Sequence, residues 1–223
     1  LAGTVIPLFS IRSHDDWGVG DFGCLKKMVD WLACTGQSVL QLLPVNDTTV
    51  YGGKEDSYPY NCISVFALNP IYMDITALPK LDSARRNSYY EKQRRLLSET
   101  PVVDYGAVYA LKMSYLRELF DQKGSDTLSS AAYRTFVAVQ KEWLQPYAMY
   151  RFLKEEIKKG RQVFIVYPLI NETEKLDYQS LEAGAEEIMQ KFPFPDYKTA
   201  VVHGKQLNDV KKFNMDAFAA GRA

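Results

Sequence analysis

Residues 57–61 read Ser-Tyr-Pro-Tyr-Asn. The two tyrosines offer flat apolar faces edged by hydroxyls, and Asn61 offers both a donor and an acceptor. Such a set suits a saccharide, which has apolar ring faces and a hydroxyl rim. A turn fixed by Pro59 and packed on the core fits the same residues equally well. Four acids, Asp15, Asp16, Asp47 and Asp56, raise the question of paired carboxylates. A retaining glycosidase holds two carboxyl groups about 5–5.5 Å apart. Nothing in the spacing here requires that, so solvated loop or cap positions are the expectation. Gly18-Val19-Gly20-Asp21-Phe22-Gly23 nearly matches a dinucleotide fingerprint. Its last glycine comes one place late, and no acidic residue closes a second strand about 20 residues on. A tight strand-to-helix turn is the better reading. No complete phosphate-binding loop occurs. His203, between an apolar run and Gly204, reads as a turn histidine, with a ligand contact as its functional alternative. With His14 it completes the histidines, and no nucleophile elbow accompanies them.

These residues need elements to hold them. Thr4–Phe9 is a short apolar run that reads as a buried strand with Pro7 near its end. Asp21 is placed to cap a helix reaching about Thr35, with Phe22, Leu25, Val29, Leu32 and Ala33 on one face and Gly36 just past its end. Ser38–Leu43 reads as a second buried strand, stopped by Pro44. Strand, helix and strand within forty residues predict a parallel, right-handed unit. The polar loop Val45–Tyr60 then follows the carboxyl end of a parallel strand, where α/β proteins place their sites. Helical periodicity runs from Leu81 to Lys159. One stripe is Val108, Leu111, Tyr115, Leu119 and Phe120, and another is Ala132, Phe136, Val139 and Trp143. Gly124–Ser130 reads as a linker between them. Gln162–Tyr167 and Tyr197–Val202 read as further strands. They alternate with helical faces at Leu181–Phe192 and Val210–Phe218. The fold class expected is α/β with a helical middle.

The 223 residues are 47% hydrophobic and 24% charged, a composition that excludes disorder and fibrous repeats. Lys+Arg and Asp+Glu both number 27, which argues against a nucleic-acid partner gripped over a wide face. Cys24, Cys34 and Cys62 are odd in number and form no C-x-x-C, so neither a disulfide framework nor a zinc site is expected. That usage points to a reducing, cytoplasmic setting. No apolar run is long enough for a membrane span, and no signal peptide is visible.

Several stretches carry a resemblance. GTVIPLFSIRS (3–13), WGVGDFG (17–23), MVDWLACTGQ (28–37), LQLLPVNDTT (40–49), DSYPYNCISVFALNPIYMDI (56–75) and KEWLQPYAMYRFLK (141–154) resemble the bacterial amylomaltases, or 4-α-glucanotransferases. The resemblance implies an elaborated (β/α)₈ barrel. It also implies transfer of α-1,4-glucan segments through a covalent glycosyl-enzyme, without a cofactor or metal. The loop with Ser57, Tyr60 and Asn61 would face the glucan groove, and Asp47 belongs to the same expected binding set. The resemblance ends before the barrel strands that carry the family's catalytic carboxylates, so no catalytic residue carries over. The segments EEIKKGRQVFIVYPLINETEKLD (155–177) and YKTAVVHGKQLNDVKKFNMDAFAAG (197–221) resemble the start of the second motor domain of RecG-type DNA helicases. The expected organisation is therefore a barrel fragment over 1–154, including the helical region 81–154, followed by a βαβα motor-like fragment over 155–223. A helicase fragment and a hybrid without native function stand as the other readings. Open apolar sheet edges would favour self-association.

Overall fold

The computed structural model describes residues 1–166 and 174–222. These fall into two compact units, Leu1–Tyr147 and Ala148–Ala223.

In the first unit, strand β1 (Gly3–Ile6) leads through a 3₁₀ turn at Leu8–Ser10 to helix α1 (Phe22–Cys34) and strand β2 (Val39–Leu42). The strands pair in parallel, with Gly3 opposite Val39 and Ile6 opposite Leu42. Pro7, which has no N–H to give a ladder, ends β1 three residues earlier than the apolar run suggests. The Asp21 carboxylate accepts from the N–H groups of Gly23 and Cys24 and caps α1, while Gly36 at φ +73° follows its end. The glycines of 18–23 answer to packing. A Cβ at Gly20 would lie 2.1 Å from the Leu8 carbonyl oxygen, and one at Gly23 would lie 2.6 Å from Asp74. The expectation of two buried strands is met on neither face in full among the described residues, since one face is exposed and the other half-buried. Val5 and Val39 are 64% and 49% exposed, because their face of the sheet has no layer over it.

Helices α2 (Ala84–Ser98), α3 (Tyr105–Ser129) and α4 (Ala131–Val139) follow, and α5 (Lys141–Lys158) runs on through the boundary between the units. Gly124–Ser130 is not a linker. The helix continues through Ser129, with Gly124 buried where the Phe120 ring folds over it, and the break falls at Ser130, whose hydroxyl caps α4. Helix α3 serves both core clusters. Tyr105 and Val108 join Leu8, Ile11, Val19, Cys24, Ile71 and Tyr72, whereas Tyr115 and Leu119 join Trp17, Ile75, Leu81 and Tyr90. Phe120, Val29, Phe136 and Val139, expected on inward faces, are exposed.

In the second unit, α6 (Glu174–Lys191) and α7 (Asn208–Ala219) accompany the end of α5. Phe192 is buried between the rings of Tyr150 and Tyr197, with centroids 5.5 and 5.2 Å away. The strands expected at Gln162–Tyr167 and Tyr197–Val202 are not formed among the described residues; Tyr167 lies outside them. Apolar extended segments become strands only when laid against a partner. Here Gln162, Val163 and Ile165 and residues 197–202 instead line a cavity of about 430 Å³ together with Leu153, Ile188 and Phe218. Part of the helicase-like stretch, 167–173, also lies outside the described residues. Among the described residues no helix is long and apolar enough to cross a membrane.

Candidate functional site

The loop after β2 is organised by side chains that are themselves buried. Asp47 is 0% exposed. Its carboxylate accepts from the Thr49 N–H at 2.9 Å and from the Tyr147 hydroxyl at 2.5 Å, reaching across 100 residues to α5. Its main chain pairs with Ala67 and Ile63, closing the loop on itself. The Thr48 hydroxyl donates to the Asp56 carbonyl at 2.5 Å. The Asn69 amide donates to the Thr48 and Tyr105 oxygens, at 3.2 and 2.9 Å, and its oxygen caps the turn at Pro70 by accepting from the Ile71 N–H. Burial pushes the Tyr105 phenol up, partly offset by its hydrogen bonds to Thr48 and Asn69. It therefore stays a neutral member of this network at ordinary pH. The Asp56 carboxylate accepts from the N–H groups of Tyr51 and Gly52, both on Oδ2, at 2.9 and 2.5 Å. Gly52 takes φ +80°, which a side chain would strain.

On this base stands an exposed ridge. Ser57, Tyr58, Tyr60 and Asn61 all face solvent, with Tyr60 59% exposed. The Tyr58 and Tyr60 ring centroids are 5.6 Å apart, and the Asn61 N–H turns back to the Tyr58 carbonyl. Phe66 stacks on Trp143 at 5.8 Å and 21°. Of the expected set, Ser57, Tyr60 and Asn61 thus sit together on the surface, while Asp47 lies beneath, engaged with the protein.

Of the expected solvated loop or cap positions, solvation is corrected for Asp16, Asp47 and Asp56, all three buried, whereas each does accept at least one backbone N–H as a cap would. Loops whose peptide groups leave a sheet need such internal acceptors. Asp15 is exposed and paired with Lys27 at 2.5 Å. Asp16 takes hydrogen bonds from Arg12, the Ser13 and Gly18 N–H groups and Ser98. Burial alone would raise its carboxyl, but these donors hold it below the ordinary carboxylate value. Lys112, 0% exposed, reaches Asp21 at 3.3 Å and donates to the Ile71 and Met73 carbonyls at 2.8 Å each. Burial pushes its ammonium down, against the pull of Asp21. Thr48, Asn69, Tyr105, Lys112 and Tyr147 escaped sequence reasoning. The Asn69-Pro70 step and the Asp47–Thr49 spacing were the available turn signals. His203 sits in a turn of the second unit, its main-chain N–H donating to the Gln206 side chain. Cys24 is buried, Cys34 exposed and Cys62 half-buried, and all three are free thiols.

The fold and this loop define an α/β protein that opens on a parallel strand–helix–strand unit and carries an exposed tyrosine ridge past its second strand. The family model described as 4-alpha-glucanotransferase matches residues 6–216, and the chain belongs to that family. It is similar to the 4-alpha-glucanotransferase DPE2 of Oryza sativa subsp. japonica, 41% identical over 154 residues, which cover 69% of this chain and 16% of that protein. It is also similar to the 4-alpha-glucanotransferase of Chlamydia pneumoniae, 34% identical over 156 residues, 70% of this chain and 29% of that protein. The chain thus spans 16% and 29% of the lengths of these two curated relatives. A further similarity, 39% identity over 74 residues, joins 33% of the chain to 9% of the ATP-dependent DNA helicase RecG of Thermotoga maritima.

Proposed function

We propose that this chain supplies the α-1,4-glucan-facing loop of a 4-alpha-glucanotransferase, with Ser57, Tyr60 and Asn61 touching the saccharide and Asp47 acting from beneath. The observation that carries the reading is the exposed Tyr58–Tyr60 pair, set on a buried polar base in a chain of this family. Tyr60 stacks on an apolar sugar face while Asn61 and Ser57 meet hydroxyls. One loop without an opposite wall gives about millimolar affinity, roughly 4 kcal/mol.

The transfer chemistry needs an acid and a nucleophile, and the buried carboxylates Asp16, Asp47 and Asp56 do not offer them. Their oxygens are engaged by peptide N–H groups and, for Asp16 and Asp47, by Arg12, Ser98 and Tyr147. In this reading the reaction draws its carboxylates from beyond these residues, and no cofactor enters. Residues 1–154 then form the barrel-derived part and 155–223 a motor-derived part, a hybrid supported by the RecG similarity. The family match running to residue 216 weighs against the hybrid. The free thiols fit a cytoplasmic setting, and the exposed Val5 and Val39 fit self-association.

Titrating maltoheptaose against the protein and its Tyr60→Ala variant by NMR tests the site. Shifts centred on 57–61 in the parent alone are expected; identical shifts in both proteins sink the placement. DNA-stimulated ATP hydrolysis would favour the helicase reading instead.

A further inference from the structure

We infer that Asp56 is a positioning residue, a buried carboxylate that fixes the tyrosine ridge in its binding form. The inference rests on the reading of that ridge as the glucan contact. Asp56 is 4% exposed, yet the next residue, Ser57, is exposed and the Tyr58 and Tyr60 rings follow at once. Its charge is met by the peptide N–H groups of Tyr51 and Gly52 and not by a lysine or arginine among the described residues. Removing a carboxylate from water without a cation is costly, and peptide N–H groups converging on it are the remaining compensation.

The same residue is held from the other side. Its N–H donates to the Gly53 carbonyl, and its carbonyl receives the Thr48 hydroxyl. Thr48 is tied through the Asn69 amide to Tyr105 at the start of α3. An unbroken chain of hydrogen bonds therefore runs from the core helix to the residue before the ridge. Beyond Asp56, the Asn61 N–H bonds to the Tyr58 carbonyl and turns the ridge, and the Ile63 N–H ties its far end to the Asp47 carbonyl. Both rings are largely exposed, and neither belongs to a hydrophobic cluster among the described residues; their centroids stand 5.6 Å apart. Their arrangement is inherited from the backbone that Asp56 pins. A ridge arranged before the ligand arrives loses less rotational freedom on binding.

The test compares the full chain with Asp56→Asn and Thr48→Val. The second variant removes the hydroxyl on the Asp56 carbonyl and leaves Asn69 its bond to Tyr105. Two readouts are taken by NMR: the nuclear Overhauser contact between the Tyr58 and Tyr60 rings without ligand, and the maltoheptaose titration. Both variants are expected to keep the dispersed methyl signals of Ile71 and Val108, to lose or weaken the ring contact, and to bind maltoheptaose about tenfold more weakly. An intact ring contact and unchanged affinity in a folded variant overturn the proposal. If Asp56→Asn fails to fold, Thr48→Val decides. If the parent itself does not bind maltoheptaose, the glucan reading fails, and the ligand-free ring contact still decides the role of Asp56.

Discussion

Replacing Lys112 by Met keeps most of the buried stem and removes only the ammonium. Three acceptors then lose their donor in the interior: the carbonyls of Ile71 and Met73 and the Asp21 carboxylate. Each neutral acceptor left bare costs about 1–3 kcal/mol. Breaking a buried ion pair from one side costs about 3–5 kcal/mol, most of it from the stranded charge. These overlap, because Asp21 still receives the Gly23 and Cys24 N–H groups as the cap of α1. A net loss of about 3–5 kcal/mol is therefore expected, or a fall in Tm of about 6–20 °C at 2–4 °C per kcal/mol. Adding Asp21→Asn removes the stranded charge while keeping a capping oxygen. It should recover about 1–2 kcal/mol, a coupling within the range of contacting residues. The pH dependence has a fixed sign. Burial lowers the folded-state value of Lys112 below 10.5, so charging it opposes folding. Its unfavourable contribution is complete below the folded value and fades as pH rises toward 10.5. The stability difference between parent and Lys112→Met should widen over that window. Urea unfolding followed by circular dichroism, at neutral pH and near pH 10, measures both quantities. A loss under about 1 kcal/mol would refute the claim that Lys112 ties α3 to the cap of α1.

Asp16→Asn should cost about 2–3 kcal/mol at pH 7, because Arg12 and two peptide N–H groups lose a charged acceptor. The folded carboxyl lies below 3.8, so the parent's advantage should be whole above that pH and shrink as pH falls beneath it, read from acid unfolding midpoints of both proteins. Gly20→Ala should destabilise by at least about 2 kcal/mol, since the new Cβ would meet two carbonyl oxygens that belong to the core turn; a variant with parent-like Tm contradicts this. Incubated with maltotriose, the chain should release no glucose and no longer maltodextrins, and enzyme-like turnover would show that it carries its own acid and nucleophile. Trypsin should cut in or just past α5, among Arg151, Lys158 and Lys159, to leave two resistant fragments, and a single protected core would oppose the two-unit reading.

Local chemistry let the sequence by itself determine a good deal. The cap at Asp21 and the left-handed Gly36 follow from residues a few places apart, whose steric and hydrogen-bonding preferences act before any tertiary contact, and the order strand, helix, strand then leaves a parallel pairing as the connection rule expects. The exposure of Ser57, Tyr60 and Asn61 on a loop past β2 fits the same kind of reasoning. Tertiary structure decided which acids are buried. Nothing in the spacing of Asp16, Asp47 and Asp56 distinguishes them from the exposed Asp15, because the difference lies in peptide groups and partners such as Ser98 and Tyr147, 82 and 100 residues away. The same holds for apolar faces. Amphipathic spacing marks Phe120, Phe136 and Val139 as faces to cover but cannot name a neighbour, and the fold leaves them in water. Gln162–Val166 carries the β-branched and aromatic residues of a strand, yet a strand is a relation between two segments, and no ladder joins it to a second among the described residues.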